Sequence, residues 1–152
     1  MPILPIVTGE KTPILRAKTK KVAKVTKEIE ALIADMYLTV ENAKGAGIAA
    51  PQVGHSERVC IASIGGMLMP LINPAISWYG EEKDSMEEGC LSLPGIWLMI
   101  TRPTEIIVKF ETTKGKKLEL KLQGYDARVV QHEVDHLDGV LMVDRANEQK
   151  EQ

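Results

Sequence analysis

Two histidines four residues apart constrain this chain more than any other feature of its sequence. The segment His-Glu-Val-Asp-His at positions 132–136 places His132 and His136 one helical turn apart on the same face, so both imidazoles can reach one metal ion. Glu133 lies between them and can contact a water molecule bound to that ion. The motif predicts a hydrolytic metal centre. Catalytic centres normally take three protein ligands and keep one position open, so a third ligand must come from elsewhere in the chain.

Length and composition are those of an ordinary globular protein. The chain has 152 residues, 44% of them hydrophobic and 26% charged, which predicts a single catalytic domain over residues 1–152. A net charge of −2 gives no reason to expect direct contact with nucleic acid or an anionic membrane. Two cysteines are too few for a disulfide framework, and the N-terminus lacks the layout of a signal peptide. These features predict a cytoplasmic protein.

The hydrophobic pattern predicts an α+β fold. Apolar residues at helical spacing follow Thr26, a suitable N-cap, and predict one N-terminal amphipathic helix that ends near residues 44–45. A buried strand is predicted over residues 58–63, a further strand over residues 96–102 and a hairpin over residues 106–122. The helix with the two histidines is expected to run from just after Gly124 to Leu137. The predicted arrangement is antiparallel sheets packed around this central C-terminal helix.

Three further segments have weaker patterns. Prolines interrupt residues 67–78, so this segment is predicted to be an edge strand. Residues 81–88 are strongly acidic and are predicted to form a loop, and the polar tail 144–152 is predicted to fray. Residues 45–52 are mostly small and match a dinucleotide-binding fingerprint. However, they follow a helix and lead into a proline, which is the wrong context for that fingerprint. On physical grounds close packing is favoured over ligand contact for this stretch.

The third metal ligand is predicted to lie upstream of the histidines. Met142 occupies the position at which one class of metalloprotease carries a third histidine. Glu148 and Glu151 lie in a tail with nothing predicted to hold them. Cys90 is the best upstream candidate, since a thiolate is a strong ligand and Gly89 beside it lets the backbone approach the metal. A small buried residue is the alternative interpretation of Cys90.

Other upstream side chains are weaker candidates for the third ligand. Cys60 lies in the predicted buried strand and is expected to be a core residue, while His55 is expected to be exposed and without a function. The carboxylates upstream of the histidines are also candidates for the third ligand. A short His-Glu-x-x-His match can also occur by chance on a helix surface.

Three stretches together resemble the signature motifs of peptide deformylases. They are Gly-Ala-Gly-Ile-Ala-Ala-Pro-Gln at 45–52, Glu-Gly-Cys-Leu-Ser at 88–92 and Gln-His-Glu-Val-Asp-His at 131–136, in the family's order. The resemblance implies an enzyme that removes the formyl group from the N-terminal formylmethionine of newly made polypeptides and releases formate. It also implies that residues 45–52 form a wall of the active site. Two alternatives remain, a metallopeptidase of another class and a non-catalytic protein with a closed structural zinc site.

The same resemblance implies roles for individual residues. Cys90, His132 and His136 would hold one divalent metal ion per chain, iron(II) in the cell, with zinc, nickel or cobalt able to substitute. Glu133 would transfer protons, while the Gln52 side chain and the Leu91 backbone N–H would stabilise the negative charge on the former carbonyl oxygen. Gly47, Gly89 and Arg102 would contact the peptide. Candidates to orient the ligands are Glu88, Gln131 and Asp135, for which a surface or helix-capping role is the alternative.

The implied partners are N-formylmethionyl nascent peptides, with transient proximity to the ribosome. Many bacterial members of the family carry a longer C-terminal helix that is associated with docking near the ribosomal exit. In this sequence only a short tail follows Asp144, which leaves that mode of docking without support. The chemistry of the site does not depend on the tail.

Overall fold

The computed structural model describes residues 2–150, which form a five-stranded sheet, a two-stranded sheet and four α-helices. The helices are α1 (Pro13–Arg16), α2 (Lys27–Asn42), α3 (Gly124–Leu137) and α4 (Met142–Lys150). The strands are β1 (Gly47–Ala49), β2 (Val59–Ile64), β3 (Met67–Tyr79), β4 (Lys83–Cys90), β5 (Leu93–Pro103), β6 (Glu105–Glu111) and β7 (Lys117–Gln123), and a 3-10 turn spans Ala50–Val53. The predicted α+β class and the antiparallel sheets around the histidine-bearing helix α3 are confirmed. Within residues 2–150 no helix is long and apolar enough to cross a membrane.

The five-stranded sheet is the middle layer between α2 and α3. Its strand order is β1-β2-β3-β6-β7, and every pair is antiparallel. Side chains alternate between the two faces of a strand, so Cys60 and Ala62 of β2 pack in the cluster with α3, whereas Val59 and Ile61 pack in the cluster with α2. Cys60 is fully buried there, as predicted. Each face of the sheet therefore packs against one of the two long helices and forms part of a separate hydrophobic cluster.

The two long helices form where the sequence predicts them. The Thr26 hydroxyl accepts a hydrogen bond from the Ile29 N–H (3.3 Å) at the start of α2, and its apolar stripe is buried. The helix ends at Asn42, two residues before the predicted end. Helix α3 ends at Leu137, and Gly139 follows with a φ of +75°. Both helices thus place their apolar faces against the sheet.

Strand β3 is a correction to the sequence analysis, because it lies inside the sheet between β2 and β6. Its two prolines are tolerated because each half of the strand has only one neighbour. Residues 67–72, which include Pro70, pair with β2, and residues 72–79, which include Pro74, pair with β6. The register shifts between Ile72 and Ala75, where Asn73 has a φ of +52°. Each proline therefore lies at a local edge, where a missing N–H costs little.

The acidic segment is also a correction, because it forms strand β4 rather than a loop. Strand β4 pairs with β5 in antiparallel register from Lys83 opposite Pro103 to Cys90 opposite Leu93. The first five residues of β4 are exposed, and only Glu88 of this strand is fully buried. An exposed two-stranded ribbon needs no apolar alternation on its outer face, so the usual sequence signal of a strand is missing.

The tail is the third correction, since residues 142–150 form helix α4. Met142 and Ala146 are buried in a cluster with residues of α1 and β5. The Gln149 side chain donates to the Thr101 carbonyl (2.9 Å) and accepts from the Thr101 N–H (3.0 Å). The Asp144 carboxylate pairs with Arg16. Only a few apolar residues of α4 make these contacts, so the mostly polar sequence of this segment did not indicate a helix. Residues 1, 151 and 152, part of the predicted irregular N-terminus and fraying tail, lie outside the described residues.

We expect replacement of Gly139 with alanine to destabilise the fold more than the same change at Gly115. Both glycines have a left-handed φ, +75° and +78°, which costs alanine about 1–2 kcal/mol. Only at Gly139 would the added Cβ also lie 2.4 Å from a backbone oxygen, that of Arg16, whereas at Gly115 no atom lies within 4 Å. This contact should cost about 1–3 kcal/mol more. Urea denaturation of both variants measures the difference, and equal losses would contradict the packing of α3 against Arg16.

Candidate metal centre

Helix α3 and the end of strand β4 bring three metal-binding side chains together. The donor atoms of Cys90, His132 and His136 all lie within 4.8 Å of one another, and the Cys90 Sγ is 3.3 Å from the His136 Nε2. His132 and His136 are one turn apart on α3, with their ring centroids 5.0 Å apart. The structure thus gathers the three residues that the sequence analysis named as ligands.

The donor set fits a single divalent ion with an open position. A tetrahedral ion with bonds of about 2.0–2.3 Å to nitrogen and sulfur requires donor atoms on the order of 3.5 Å apart, close to the separation of Cys90 and His136. Within residues 2–150 this cluster contains three ligating residues. The other candidates lie elsewhere: Cys60 is in β2 and fully buried, and His55 is exposed and 3.5 Å from Glu57.

Glu88 orients His132 and fixes which ring nitrogen faces the other ligands. The His132 Nδ1 donates to the Glu88 Oε1 (2.9 Å), so the Nε2 is directed away from Glu88. Burial opposes ionisation of Glu88, but the hydrogen bonds from His132 and Arg102 prevail and lower its pKa. Burial, the largest cause, also lowers the pKa of His136. His136 is therefore neutral, the form that binds metal.

Two buried arginines hold the Glu88 carboxylate in place. Arg102 donates to both of its oxygens (2.6 and 3.0 Å), and Arg128 donates to Oε2 (2.6 Å). Arg102 also donates to Asp135 (2.9 Å). Only 5% of the Arg102 side chain is exposed, and Arg102 does not line the cleft beside the cluster. Its guanidinium holds two carboxylates, and the implied contact with a peptide stays a prediction.

The sequence analysis did not name Arg128. This side chain donates to the Ile100 carbonyl (2.9 Å) and to the Asp84 carboxylate (2.7 Å) as well as to Glu88. One signal was present in the sequence, since residue 128 lies four before His132 and therefore on the same face of α3. A charged residue on the buried face of a helix requires a partner, and Glu88 is that partner.

Glu133 occupies a buried position that depends on Gly47. A Cβ at position 47 would lie 2.6 Å from the Glu133 Oε2 and 2.8 Å from the Ile61 carbonyl oxygen. Burial is the main cause that raises the pKa of Glu133, to about 7. The Glu133 Oε1 is buried and has no hydrogen-bond partner among the described residues. This oxygen can therefore accept a hydrogen bond from a water molecule or a substrate.

Gln52 is held so that its amide N–H₂ faces the cysteine. The Gln52 Oε1 accepts from the Ala49 N–H (2.9 Å), which fixes the orientation of the amide. The Nε2 donates to the buried Ser92 hydroxyl (3.1 Å) and lies 3.8 Å from the Cys90 Sγ. Leu91 lies in the turn directly after Cys90. The Gln52 amide and the backbone at Leu91 are therefore both next to Cys90.

Two residues that were expected to orient the ligands have different roles. The Gln131 amide donates to the carbonyls of Pro103 (3.0 Å) and Ala127 (3.1 Å), so it ties α3 to β5. Asp135 accepts from Arg102 (2.9 Å) and from Arg145 of α4 (2.7 Å). None of these four hydrogen bonds is made to a histidine or to Cys90.

A cleft of about 500 Å³ opens beside the cluster. Its walls combine the glycine-rich stretch, the turn around Cys90 and the start of α3, as the resemblance implied. The residues that line the cleft include Gly45, Gly47, Gln52, Gly89, Cys90, Leu91, Ile96, Trp97, Tyr125, His132 and Glu133. Residues 48–50 of the glycine-rich stretch are buried in the core, so the packing expected on physical grounds and the contact with the cleft both occur within this stretch.

Residues 3–152 match the family described as polypeptide deformylase. The chain is 47% identical over 134 residues to the peptide deformylase of Pelotomaculum thermopropionicum, a match that covers 88% of this chain and 85% of that protein. The chain belongs to the polypeptide deformylase family. The resemblance to peptide deformylases is thereby confirmed, and so is the predicted activity, removal of the N-formyl group from nascent peptides.

Solved deformylase structures have the same fold as this chain. The crystal structure of the Thermotoga maritima peptide deformylase superposes with a TM-score of 0.90 at 41% identity, covering 94% of this chain and 97% of that one. The class I type b peptide deformylase of Acinetobacter baumannii bound to Met-Ala-Ser gives a TM-score of 0.89 at 34% identity, covering 94% and 98%. Neither match supports a metallopeptidase of another class. Deformylases depend on a metal, for which the Cys90 cluster offers a site.

We expect a Gly47→Ala variant of this deformylase to lose turnover while it keeps its metal. The added Cβ would displace the Glu133 carboxylate by close contact, and a displacement of about 1 Å can lower kcat by about 100-fold. Gly45→Ala is the matched control, since its Cβ would meet the ends of the Leu91 and Val40 side chains at 3.1 and 3.2 Å and the Gly47 carbonyl oxygen at an ordinary contact distance of 3.6 Å. Kinetics and metal analysis distinguish the roles of Gly47. A higher KM with unchanged kcat would show that Gly47 contacts substrate and does not position Glu133.

Proposed function

We propose that Cys90, His132 and His136 hold one divalent metal ion at which the chain hydrolyses the formyl amide of N-formylmethionyl peptides. The observation that carries this proposal is the three-donor cluster next to a buried carboxylate with a free oxygen. Glu133, Gln52 and Leu91 surround the cluster on the side of the cleft. The products are formate and a peptide with a free N-terminal methionine.

The proposed ion is iron(II), with zinc, nickel and cobalt able to substitute. One thiolate and two imidazoles are ligands that all of these ions accept. An ion bound there supplies Lewis acidity and lowers the pKa of a bound water from 15.7 towards ~7. The chain contributes the geometry of the ligands: Glu88 fixes the tautomer of His132, and burial keeps His136 neutral.

Glu133 transfers protons in the proposed reaction. Its free carboxylate oxygen takes a proton from the attacking water and delivers it to the nitrogen of the departing amine. A carboxyl whose pKa burial raises to about 7 is suited to both tasks near neutral pH, because each protonation state is accessible. Gly47 contributes by leaving room for this side chain.

Gln52 and Leu91 stabilise the charge that develops on the former carbonyl oxygen. The Gln52 amide is already oriented by Ala49 and Ser92, so it needs little reorganisation during the reaction. The backbone N–H of Leu91 is the second proposed donor. Gly47 and Gly89 are proposed to present backbone to the peptide, while Arg102 acts through Glu88 and His132.

The proposed setting is the cytoplasm, in transient proximity to the ribosome, since the substrate is a nascent chain. The proposed domain organisation is a single catalytic domain over residues 1–152. The family match over residues 3–152 supports this organisation.

A formate-release assay tests the proposal. The protein purified without oxygen and loaded with iron(II) should release formate from formyl-Met-Ala-Ser. Chelation should abolish the release, and added metal should restore it. No formate above the metal-free control would reject the function. Cleavage within an unformylated peptide would instead support a metallopeptidase.

A Glu133→Gln variant tests the role of the carboxylate. Its amide has nearly the same shape but cannot accept the proton, so we expect kcat to fall by about 100-fold or more while the metal content is unchanged. Glu57→Gln is a control on a partly exposed carboxylate that does not line the cleft and should retain full activity. Turnover by Glu133→Gln near that of the unmodified protein would exclude Glu133 as the proton carrier.

A further inference from the structure

A line of hydrogen-bonded charges leads from the candidate metal centre to the C-terminal helix. Glu88 accepts from the candidate ligand His132 (2.9 Å) and from the Arg102 guanidinium (2.6 and 3.0 Å). Arg102 also donates to Asp135 (2.9 Å), which accepts two hydrogen bonds from Arg145 of α4 (2.7 and 3.1 Å). Three side chains, Glu88, Arg102 and Asp135, thus form a charge chain that connects His132 to Arg145.

The two arginine–carboxylate contacts along this line have a fixed geometry. Arg145 donates through Nε and Nη2 to the two oxygens of Asp135, and Arg102 donates through the same two nitrogens to the two oxygens of Glu88. Such paired hydrogen bonds fix the plane of the guanidinium relative to the carboxylate. Only 6% of the Glu88 side chain and 13% of the Asp135 side chain are exposed. Because a buried charge without its partner is costly, a carboxylate that loses one partner must move towards the partner that remains.

The outer part of this line lies away from the reaction cleft. Asp135 and Arg145 line a separate cavity of about 590 Å³, and neither of them lines the cleft beside Cys90. Arg102 is also part of the wall of the separate cavity. An effect of Arg145 on the metal centre must therefore act through the side chains between them.

We propose that Arg145 is a positioning residue that holds His132 in its metal-binding orientation through the charge chain. The inference rests on the proposed function, because it takes His132 as a metal ligand. Without Arg145, the Asp135 carboxylate keeps only Arg102 as a side-chain donor among the described residues, so Arg102 turns towards Asp135 and away from Glu88. Glu88 then holds the imidazole of His132 less firmly, and the ion is bound less tightly.

Zinc affinity tests this inference without dependence on turnover. Competition with a coloured chelator gives the Kd for zinc. We expect Arg145→Ala to bind zinc about 3- to 10-fold less tightly, a smaller loss than the roughly 10- to 100-fold typical of residues bonded directly to a ligand. Arg145→Lys keeps the charge that balances Asp135 but cannot make the paired hydrogen bonds, so it should also bind zinc less tightly, by about 2-fold or more. Unchanged affinity in these variants would overturn the inference and leave the proposed function intact. No zinc binding by the unmodified protein would overturn both.

Arg16→Ala is the matched control. Arg16 also joins α4 to the rest of the chain through a carboxylate, that of Asp144, but it does not contact the charge chain. The exposed fractions of the two arginine side chains are similar, 33% for Arg16 and 36% for Arg145. The zinc affinity of Arg16→Ala should equal that of the unmodified protein. Equal losses in Arg16→Ala and Arg145→Ala would show that any anchor of α4 has the same effect, which contradicts a role of the charge chain.

A double-mutant cycle tests whether Arg145 acts through Glu88. Residues that act through a shared partner give effects that do not add. Glu88→Gln removes the carboxylate that connects Arg102 to His132, so in this background Arg145→Ala should cause little further loss of zinc affinity. Full additivity of the two losses would contradict the proposed path.

Cobalt(II) provides a spectroscopic measurement of the same effect. The visible absorption bands of bound cobalt(II) depend on the geometry of its ligands. Arg145→Ala should shift these bands, because His132 is no longer held in one orientation, whereas Arg16→Ala should leave them unchanged. Identical cobalt spectra for Arg145→Ala and the unmodified protein would show that Arg145 does not position the ligand, which overturns the inference.

Discussion

The buried carboxylate of Glu88 is the interaction on which the rest of the site depends. It accepts hydrogen bonds from Arg102 of β5 and from Arg128 and His132 of α3, all between 2.6 and 3.0 Å. One side chain of β4 thus joins the two-stranded sheet to the central helix. Loss of one partner from such a buried group typically costs about 3–5 kcal/mol, although the whole network contributes little compared with apolar packing. Its main effect is therefore on geometry, since it sets the position of His132 relative to Cys90 on the same strand.

The network continues to the C-terminal helix. Asp135 accepts from Arg102 on one side and from Arg145 of α4 on the other. Gln149 meanwhile pairs with the backbone of Thr101 in β5. Helix α4 is therefore joined by polar contacts to the same strand that carries Arg102. The other side of the site is rigid for a different reason, because β1 packs so closely on α3 that position 47 has room only for glycine beside Glu133.

Sequence reasoning succeeded where a local pattern determines the structure. The spacing of His132 and His136 predicted the helix and placed both imidazoles on one face of it. Met142 directed the search for a third candidate ligand towards Cys90, which lies in the same cluster. The alternating residues of β6 and β7 predicted the hairpin. In each case the information lies within a few residues of sequence, where helical and strand periodicity are reliable signals.

Sequence reasoning failed where long-range contacts determine the structure. Most residues of strand β4 are exposed and many are acidic. The sequence therefore lacks the hydrophobic alternation that would have indicated a strand paired with β5. The hydrogen bonds of Arg102 were not predicted, because its two carboxylate partners lie 14 and 33 residues away in the sequence. Nor does the sequence indicate the contact between Trp97 and Gly89, which appears only in the register that pairs β4 with β5.

X-ray absorption spectroscopy of the zinc-loaded protein tests the central claim most directly. The account predicts one sulfur at about 2.3 Å and two imidazole nitrogens at about 2.0–2.1 Å, with one position left for an oxygen from solvent. The sulfur should disappear in Cys90→Ser and remain in Cys60→Ser. Two sulfurs, a fourth protein ligand, or a sulfur that persists in Cys90→Ser would contradict the three-ligand centre.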